Sequence, residues 1–147
     1  MTPLTLGTIG RAIGAEVSTS HTAERALRVS TDTRDLRRGD LFFALKGPNF
    51  DGHTFIPEAL AKGAVACVGD CSYTPEEGLK DRVLRVDDTL AALGRLAAYY
   101  RNELIPVGTT IIAVTGSNGK TTTKCMIDHV LRGYFKGRPS PKSFNNA

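Results

Sequence analysis

The residues best suited to chemistry lie in the segment Gly116–Thr122, which reads G-S-N-G-K-T-T. Glycines let a chain turn sharply and approach an anion without a Cβ in the way. Lys120 supplies a point charge that could reach the β- and γ-phosphates of a nucleotide, and the hydroxyl of Thr121 could bind Mg²⁺. The segment is therefore predicted to bind nucleotide phosphates, with ATP and Mg²⁺ as the expected ligands.

The spacing of this loop departs from the general phosphate-loop pattern G-x-x-x-x-G-K-[ST], which requires glycine where this sequence has Val114. The prediction therefore depends on context, a β-branched strand predicted over Thr109–Val114 and a helix predicted over 119–132. The N-terminus of a helix offers unpaired N–H groups and a partial positive charge, both of which suit phosphate. The alternative is an ordinary helix capped by Ser117 or Asn118.

Strand and helix signals alternate along the rest of the chain. Further helices are predicted over 5–14, 54–62 and 89–102, and strands over 27–33, 41–45, 64–68 and 83–86. This alternation is typical of α/β architecture. We place a domain boundary between residues 86 and 87, with a small α/β lobe before it. No later strand is predicted to pair with Thr109–Val114, so the second lobe is expected to be incomplete.

Two of the predicted helices carry their own boundary signals. Thr54 could cap the second, with Gly63 as its stop signal. Asp87 or Asp88 could cap the third. The apolar positions of that third helix follow the 3.6-residue period and predict its buried face as Leu90, Leu93, Ala97 and Tyr100.

The composition narrows the classes of partner. The 147 residues carry a net charge of +4, but lysine and arginine are scattered among acids and do not alternate with aromatic residues. Nucleic acid is therefore disfavoured, and anionic small molecules account for a modest basic excess. The sequence shows no apolar run that could cross a bilayer and no basic-then-apolar leader, so no membrane partner and a cytoplasmic location are expected.

The cysteines predict a reducing compartment. Their number is odd, and no secretory signal accompanies Cys67, Cys71 and Cys125. No second Cys/His pair completes a zinc site with Cys67 and Cys71. Cys67 lies in an apolar run and is predicted to be a small buried side chain.

The shortened loop resembles that of the Mur ligase family, the ATP-dependent amide-bond ligases of peptidoglycan precursor synthesis, whose motif reads T-G-x-N-G-K-T. The resemblance continues through S-T-D-T-R at 30–34, G-D-L-F-F-A-L-K-G at 39–47 and F-D-G-H at 50–53. These segments look like the N-terminal substrate lobe of two kinds of member, which add either the third stem-peptide residue or D-alanyl-D-alanine. The resemblance covers nearly the whole chain.

Several residues favour the members that add D-alanyl-D-alanine to UDP-N-acetylmuramoyl-tripeptide. Thr33 replaces the serine usual before the arginine in the third-residue ligases, and Ser117 also fits the D-alanyl-D-alanine pattern. So do the K-x-M run from Lys124 to Met126 and the asparagine-rich segment 144–146. The third-residue ligase is an alternative within the family, and a uridine-nucleotide-binding module without chemistry is an alternative outside catalysis.

The resemblance implies two sites. The first lobe, residues 1–86, would bind the UDP end of the substrate through Thr33, Arg34, Lys46, Gly47, Asn49, Asp51, Asn145 and Asn146. The second, residues 87–147, would be the start of a P-loop ATPase-type central domain and would bind ATP phosphates through Thr115, Gly116, Ser117, Asn118, Gly119, Lys120, Thr121 and Thr122. Lys120 would be catalytic and Thr121 a ligand of Mg²⁺.

Several of the candidate substrate residues have a plainer alternative. Arg34 suits a diphosphate because its guanidinium makes paired charge-assisted bonds, but it could be a surface arginine paired with Asp35 or Asp40. Asp51 and His53 could contact substrate, or they could belong to an Asp-Gly turn before a helix. The two asparagines near the C-terminus could shape a turn.

The implied reaction passes through an acyl phosphate, formed when the tripeptide carboxylate attacks the γ-phosphate of ATP and resolved by the amine of D-alanyl-D-alanine. The family's further metal ligands and amine-binding domain are not found in this sequence, so the chain is expected to be a fragment that is inactive alone. The open edge beside Thr109–Val114 and the apolar face of the helix 119–132 are expected to drive self-association.

Overall fold

The computed structural model describes residues 2–48 and 50–140. The chain divides into two compact units, Met1–Pro106 and Val107–Ala147. The first is a mixed α/β unit, and the second, where it is described, contains one helix.

The described part of the first unit contains eight short strands and three α-helices. The strands are β1 (Leu4–Thr5), β2 (Arg25–Ala26), β3 (Arg28–Ser30), β4 (Asp40–Phe43), β5 (Lys46–Gly47), β6 (Phe50–Asp51), β7 (Ala66–Asp70) and β8 (Val83–Val86). The helices are α1 (Leu6–Ile13), α2 (Ile56–Ala61) and α3 (Thr89–Tyr99). Turns of 3₁₀-helix cover Thr19–His21, Gly52–Phe55 and Glu77–Arg82, and a π-helical turn, Tyr100–Leu104, follows α3.

Four of the strands form a parallel sheet in the order β3-β4-β7-β8. The register aligns Val29 with Leu41, Leu41 with Ala66, and Cys67 with Val83. Two antiparallel pairs stand beside it, β1 with β2 and β5 with β6. The prediction of an α/β fold is confirmed.

Helices cover both faces of this sheet because the side chains of its strands alternate between the faces. Leu41 and Phe43 belong to the core that α1 and α3 cover, while Phe42 and Ala44 belong to the smaller core under α2. Both phenylalanines are fully buried, and burial of each side chain contributes about 1.5–3 kcal/mol. Cys67 lies in the second core and is completely buried, as predicted.

The helix predicted over 54–62 begins later than expected. Its α-helical part is Ile56–Ala61, preceded by the 3₁₀ turn that Asp51 caps by accepting the N–H of His53. Thr54 is not the cap, because its hydroxyl donates to the carbonyl oxygen of Asp51 at 2.8 Å. The Asp-Gly turn supplies an earlier cap than the sequence pattern indicated.

The domain boundary predicted between residues 86 and 87 is wrong as a division of structure, because α3 packs on the first unit. Asp88 caps this helix, as one of the two predicted candidates. Its buried apolar side chains are Ala92 and Leu96, in the same core as α1. Leu90, assigned to the buried face, is instead 52% exposed.

The second unit contains the helix α4 (Lys120–Leu131), in agreement with the prediction for 119–132. The strand predicted over Thr109–Val114 is not formed, because a strand requires a hydrogen-bonded partner and no other described residue of this unit is in a strand. Ile111 and Ile112 are both about half exposed. Within the described residues, no helix is long and apolar enough to cross a membrane.

Candidate functional site

The loop before α4 has the backbone shape predicted for phosphate binding. Gly119 is the N-cap of the helix in the left-handed conformation, with φ 75°, and Gly116 has φ 143°. No side chain caps this helix, so the alternative in which Ser117 or Asn118 serves as a cap is wrong. The first backbone bond of the helix runs from the N–H of Thr123 to the carbonyl oxygen of Gly119 at 2.9 Å.

Lys120 lies at the first helical position with its ammonium against the loop. Its Nζ donates to the carbonyl oxygens of Gly116 at 2.6 Å and Ser117 at 3.4 Å. These contacts bring a positive charge back over the glycine turn. Lys120 and the turn are thus close enough to contact one anionic group together.

The first turn of α4 carries no acidic side chain, so no carboxylate there neutralises the positive end of the helix dipole. One turn later Lys124 donates to the carbonyl oxygen of Ser140 at 2.7 Å. A glycine turn, a helix N-terminus and an ammonium form a donor set that fits a polyphosphate. For Mg²⁺ the described residues offer the hydroxyl of Thr121, and they contain no cluster of three or more metal-ligating side chains.

The described residues predicted to bind the UDP end gather at one edge of the parallel sheet. Thr33 and Arg34 follow the end of β3, and Lys46, Gly47 and Asp51 follow the end of β4. Neighbouring parallel strands present their carboxyl ends at the same edge, where ligands of open α/β sheets bind. The other three predicted residues, Asn49, Asn145 and Asn146, lie outside the described residues.

Thr33 is buried, and its backbone is hydrogen-bonded to the end of α2. It is 8% exposed, and its carbonyl oxygen accepts a hydrogen bond from Lys62 Nζ at 3.0 Å. Lys62 also forms an ion pair with Glu58 at 2.6 Å, and this lysine is the main reason the pKa of Glu58 lies below its ordinary value. The start of the loop after β3 is thereby tied to α2.

Arg34 is presented to solvent with its guanidinium held by a neighbour. Its Nε and Nη2 donate to the two carboxylate oxygens of Asp32 at 2.9 and 2.6 Å, and its side chain is 88% exposed. Donation of these hydrogen bonds to Asp32 is the main cause of the raised pKa of Arg34. The partners considered from the sequence, Asp35 and Asp40, are wrong, since Asp32 lies within reach across a local turn.

Asp35 and Asp40 instead bind Arg28, an arrangement that sequence reasoning missed. Asp40 is 2% exposed and accepts hydrogen bonds from Arg28 Nη2 at 2.7 Å and from the backbone N–H of Arg37 at 2.8 Å. Arg28 Nη1 also donates to Asp35 at 3.0 Å. Hydrogen bonding to Asp40 is the main cause of the raised pKa of Arg28. The signal available in the sequence was the position of Asp40, an acidic residue directly before the apolar run 41–45.

Lys46 and Asp51 face each other across the β5–β6 hairpin. We call its described residues, 46–48 and 50–51, the substrate hairpin after the role predicted for them. Lys46 Nζ is 4.0 Å from Asp51 Oδ2. Asp51 Oδ1 accepts the backbone N–H of His53 at 2.9 Å and His53 Nδ1 at 2.6 Å. The backbone bond from His53 is the largest cause of the lowered pKa of Asp51. In this structure Asp51 therefore makes the contacts of an Asp-Gly turn before a helix, the alternative to substrate binding that the sequence offered.

Gly52 requires glycine because the chain passes close to itself there. Its N–H donates to the carbonyl oxygen of Leu45 at 2.9 Å, and a Cβ at Gly52 would lie 2.5 Å from that oxygen. His53, which follows, is 4% exposed and stacks on Tyr73 with a ring separation of 5.7 Å. The histidine is therefore buried behind the substrate hairpin.

Comparison with known proteins gives one matching family model. Residues 27–101 match the model described as "Mur ligase family, catalytic domain". The match spans half of the chain and crosses the boundary predicted between residues 86 and 87. The chain is also 48% identical over 118 residues to the UDP-N-acetylmuramoyl-tripeptide--D-alanyl-D-alanine ligase of Bacillus subtilis, covering 80% of this chain and 25% of that protein.

Solved structures agree with the sequence comparison. MurF from Acinetobacter baumannii superposes with a TM-score of 0.72 at 32% identity, covering 91% of this chain and 28% of that one. MurF ligase from Thermotoga maritima in complex with ADP gives a TM-score of 0.57 at 34% identity, over 74% of this chain and 24% of that one. The chain thus spans about a quarter of the length of the relatives that it matches.

Proposed function

The chain belongs to the Mur ligase family. We propose that it supplies the uridine-nucleotide lobe and the ATP-phosphate loop of a UDP-N-acetylmuramoyl-tripeptide–D-alanyl-D-alanine ligase. The observation that carries the proposal is the contact between Lys120 Nζ and the loop carbonyl of Gly116 at 2.6 Å, directly before the uncapped N-terminus of α4.

The ATP part of the proposal is supported by the charge and backbone of this loop. Thr115, Gly116, Ser117, Asn118, Gly119, Lys120, Thr121 and Thr122 are the proposed phosphate contacts. The backbone N–H groups at a helix N-terminus point toward a bound anion. The related ligase from Thermotoga maritima was solved in complex with ADP, which supports an adenine nucleotide as a ligand of this chain.

The substrate part is supported by the edge of the parallel sheet. Arg34 extends into solvent at the end of β3, and the substrate hairpin stands at the end of β4. We propose that Thr33, Arg34, Lys46, Gly47 and Asp51 contact the uridine-diphosphate end. The fork of Arg34 could exchange its bonds to Asp32 for bonds to a diphosphate, because both are paired oxygen acceptors.

In the proposed reaction the substrate carboxylate attacks the γ-phosphate of ATP, giving an acyl phosphate and ADP. The amine of D-alanyl-D-alanine then displaces inorganic phosphate and forms the amide bond. Such transfers need mainly positioning and charge neutralisation. Lys120 would neutralise charge on the phosphates, and the glycine turn would orient them. Mg²⁺ would spread the phosphate charge further, with Thr121 supplying one oxygen.

Calorimetry with the whole 147-residue chain tests the ATP part. We expect ADP to bind the natural sequence, and Lys120→Met to weaken binding about tenfold or more through the loss of a charge-assisted bond. The matched control is Lys136→Met, which removes an equally charged side chain beyond the end of α4 and should leave the affinity unchanged. Equal affinity for all three chains would exclude Lys120 from the site.

The second candidate is a uridine-nucleotide-binding module without chemistry. It is favoured by the first unit, whose core and substrate hairpin are built from its own residues. This candidate predicts binding of UDP-N-acetylmuramoyl-tripeptide with no heat from ADP, whereas the ligase proposal predicts both. Comparable binding of the corresponding dipeptide would favour a third-residue ligase instead.

We also propose that the second unit mediates self-association between copies of the chain. Its exposed apolar side chains include Ile111, Ile112, Met126, Val130 and Tyr134, and no described residue of the unit is in a strand that could cover 109–114. A second copy presents the same unpaired backbone and the same apolar face, which suits symmetric pairing.

A further inference from the structure

We propose that His53 is a positioning residue that fixes the substrate hairpin to the end of β7, with Nδ1 as a hydrogen-bond donor and Nε2 as an acceptor. The inference rests on the proposed function insofar as the hairpin is assigned to the uridine-nucleotide site. His53 itself is 4% exposed and stacked on Tyr73, so it acts through its neighbours and does not touch substrate.

The two ring nitrogens of His53 have opposite roles. The backbone N–H of Asp70 donates to Nε2 at 3.0 Å, so Nε2 must present its lone pair. Nδ1 lies 2.6 Å from Asp51 Oδ1 and therefore holds the proton that it donates to that carboxylate. One ring thus joins the last residue of β6 to the last residue of β7.

The surroundings are shaped to hold the ring in this place. A Cβ at Gly69 would lie 3.3 Å from Cδ2 of His53, so glycine leaves the room that the ring occupies. Asp51 Oδ1 also accepts the backbone N–H of His53, which closes a short cycle between the two residues. Because Lys46 faces Asp51 across the hairpin, a shift of Asp51 would move both arms of the hairpin.

The test separates the two bonds with two variants of the whole chain. His53→Asn keeps an amide donor near Asp51 but cannot reach the N–H of Asp70, and His53→Gln can place an amide oxygen near that N–H but does not reproduce the bond to Asp51. We expect either variant to bind UDP-N-acetylmuramoyl-tripeptide about tenfold more weakly, the effect of one lost charge-assisted or buried bond, with ADP affinity unchanged.

His21 provides a matched control, because its Nδ1 lies 2.7 Å from Glu24 Oε1 at a site remote in sequence from the hairpin. His21→Asn and His21→Gln should bind the tripeptide substrate like the natural sequence. If the His53 variants lose thermal stability but retain the substrate affinity of the natural sequence, His53 is only a stabilising residue and the inference is overturned.

Two further measurements remain decisive if the natural sequence binds no uridine nucleotide, a result that would defeat the proposed function instead. ¹⁵N NMR at neutral pH should show a protonated Nδ1 and an unprotonated Nε2 for His53, and the reverse pattern contradicts the inference. Amide exchange at Gly52, whose N–H is bound to Leu45, should accelerate in both His53 variants. The sheet amide of Ala44, bound to Val68, should stay protected, and unchanged exchange at Gly52 overturns the positioning role.

Discussion

Arg95 in α3 donates two hydrogen bonds to the carbonyl oxygen of Ile13, at 3.0 Å from Nε and 2.8 Å from Nη2. Ile13 is the last residue of α1, where helix carbonyls have no intrahelical partner and the dipole is negative. One cation therefore satisfies the end of α1 and holds α3 on the core of the first unit. This contact across 82 positions of sequence explains why the first unit extends past residue 86.

Removing this guanidinium should destabilise the first unit. We expect Arg95→Ala to lower its free energy of unfolding by about 1–3 kcal/mol, because the carbonyl of Ile13 would lose charged donors in a partly buried place. Arg95→Lys should restore only part of this, since a lysine lacks the fork. Denaturant unfolding followed by circular dichroism measures the effect. Arg101→Ala, an exposed site on the following turn, is the control, and an equal loss there would refute the assignment.

Gly52 should not tolerate a methyl group. A Cβ there would meet the carbonyl oxygen of Leu45 at 2.5 Å and its nitrogen at 2.8 Å, and these backbone atoms cannot rotate away. We expect Gly52→Ala to cost about 1–3 kcal/mol of stability, in the range of other overpacked sites. Gly78→Ala is the control because no atom lies within 4 Å of its Cβ position. Equal melting temperatures for the two variants would show that the turn is not so tight.

Gly119 should be required because of its left-handed backbone conformation, and not because a side chain would lack space there. Nothing lies within 4 Å of a Cβ at Gly119, but its φ of 75° costs other residues about 1–2 kcal/mol. We therefore expect Gly119→Ala to weaken ADP binding by about tenfold. Gly133→Ala, equally open and past the end of α4, should not change the affinity. Binding of ADP unaffected by both substitutions would place the nucleotide elsewhere.

Elements of both units follow from local sequence signals. The strand at Val83–Val86 and the helix after Gly119 were predicted within one residue, because a short, mainly apolar run or a glycine next to a periodic segment acts locally. The buried face of α3 could not be predicted in the same way. Its sequence is rich in Ala and Leu on every side, so only packing against α1 selects Ala92 and Leu96 over Leu90.

Other predictions were wrong for the same physical reason, because the outcome depended on contacts with residues outside the local segment. The residues Thr109–Val114 have strong strand propensity, but a strand exists only with a partner to bond. Arg34 pairs with Asp32 because Arg28 already binds Asp35 and Asp40, the two partners considered from the sequence. Of the candidate site, the loop and the hairpin were predictable from motifs, whereas the buried contacts of Asp40 and His53 were not.

Self-association of the second unit predicts a molecular mass above the 15.8 kDa of one chain in light scattering. We expect Ile112→Asp to lower the measured mass toward one chain, because a charge in the exposed apolar segment 109–114 opposes the burial of that segment between two copies. Leu27→Asp is the matched control, since Leu27 is also 52% exposed but lies in the first unit. A monomeric mass for the natural sequence at high micromolar concentration would remove this proposal.

Cys67 should resist alkylation in the folded chain, and its ionisation should make the stability of the fold depend on pH at alkaline pH. Burial raises the pKa of its thiol from 9.0 to about 12, and the thiolate is the reactive form. Iodoacetamide at pH 8 should therefore label the exposed Cys71 and Cys125 in the native chain, and Cys67 only after denaturation.

The same shift makes the folded state lose stability as the pH rises. The unfolded thiol ionises near pH 9, while the folded thiol stays protonated until about pH 12, so ionisation favours unfolding between these values. The free energy of unfolding should fall there by at most about 1.4 kcal/mol per pH unit from this group. Cys67→Ala removes this contribution and should flatten the decline. Parallel pH curves for the variant and the natural sequence would show that Cys67 ionises equally in both states.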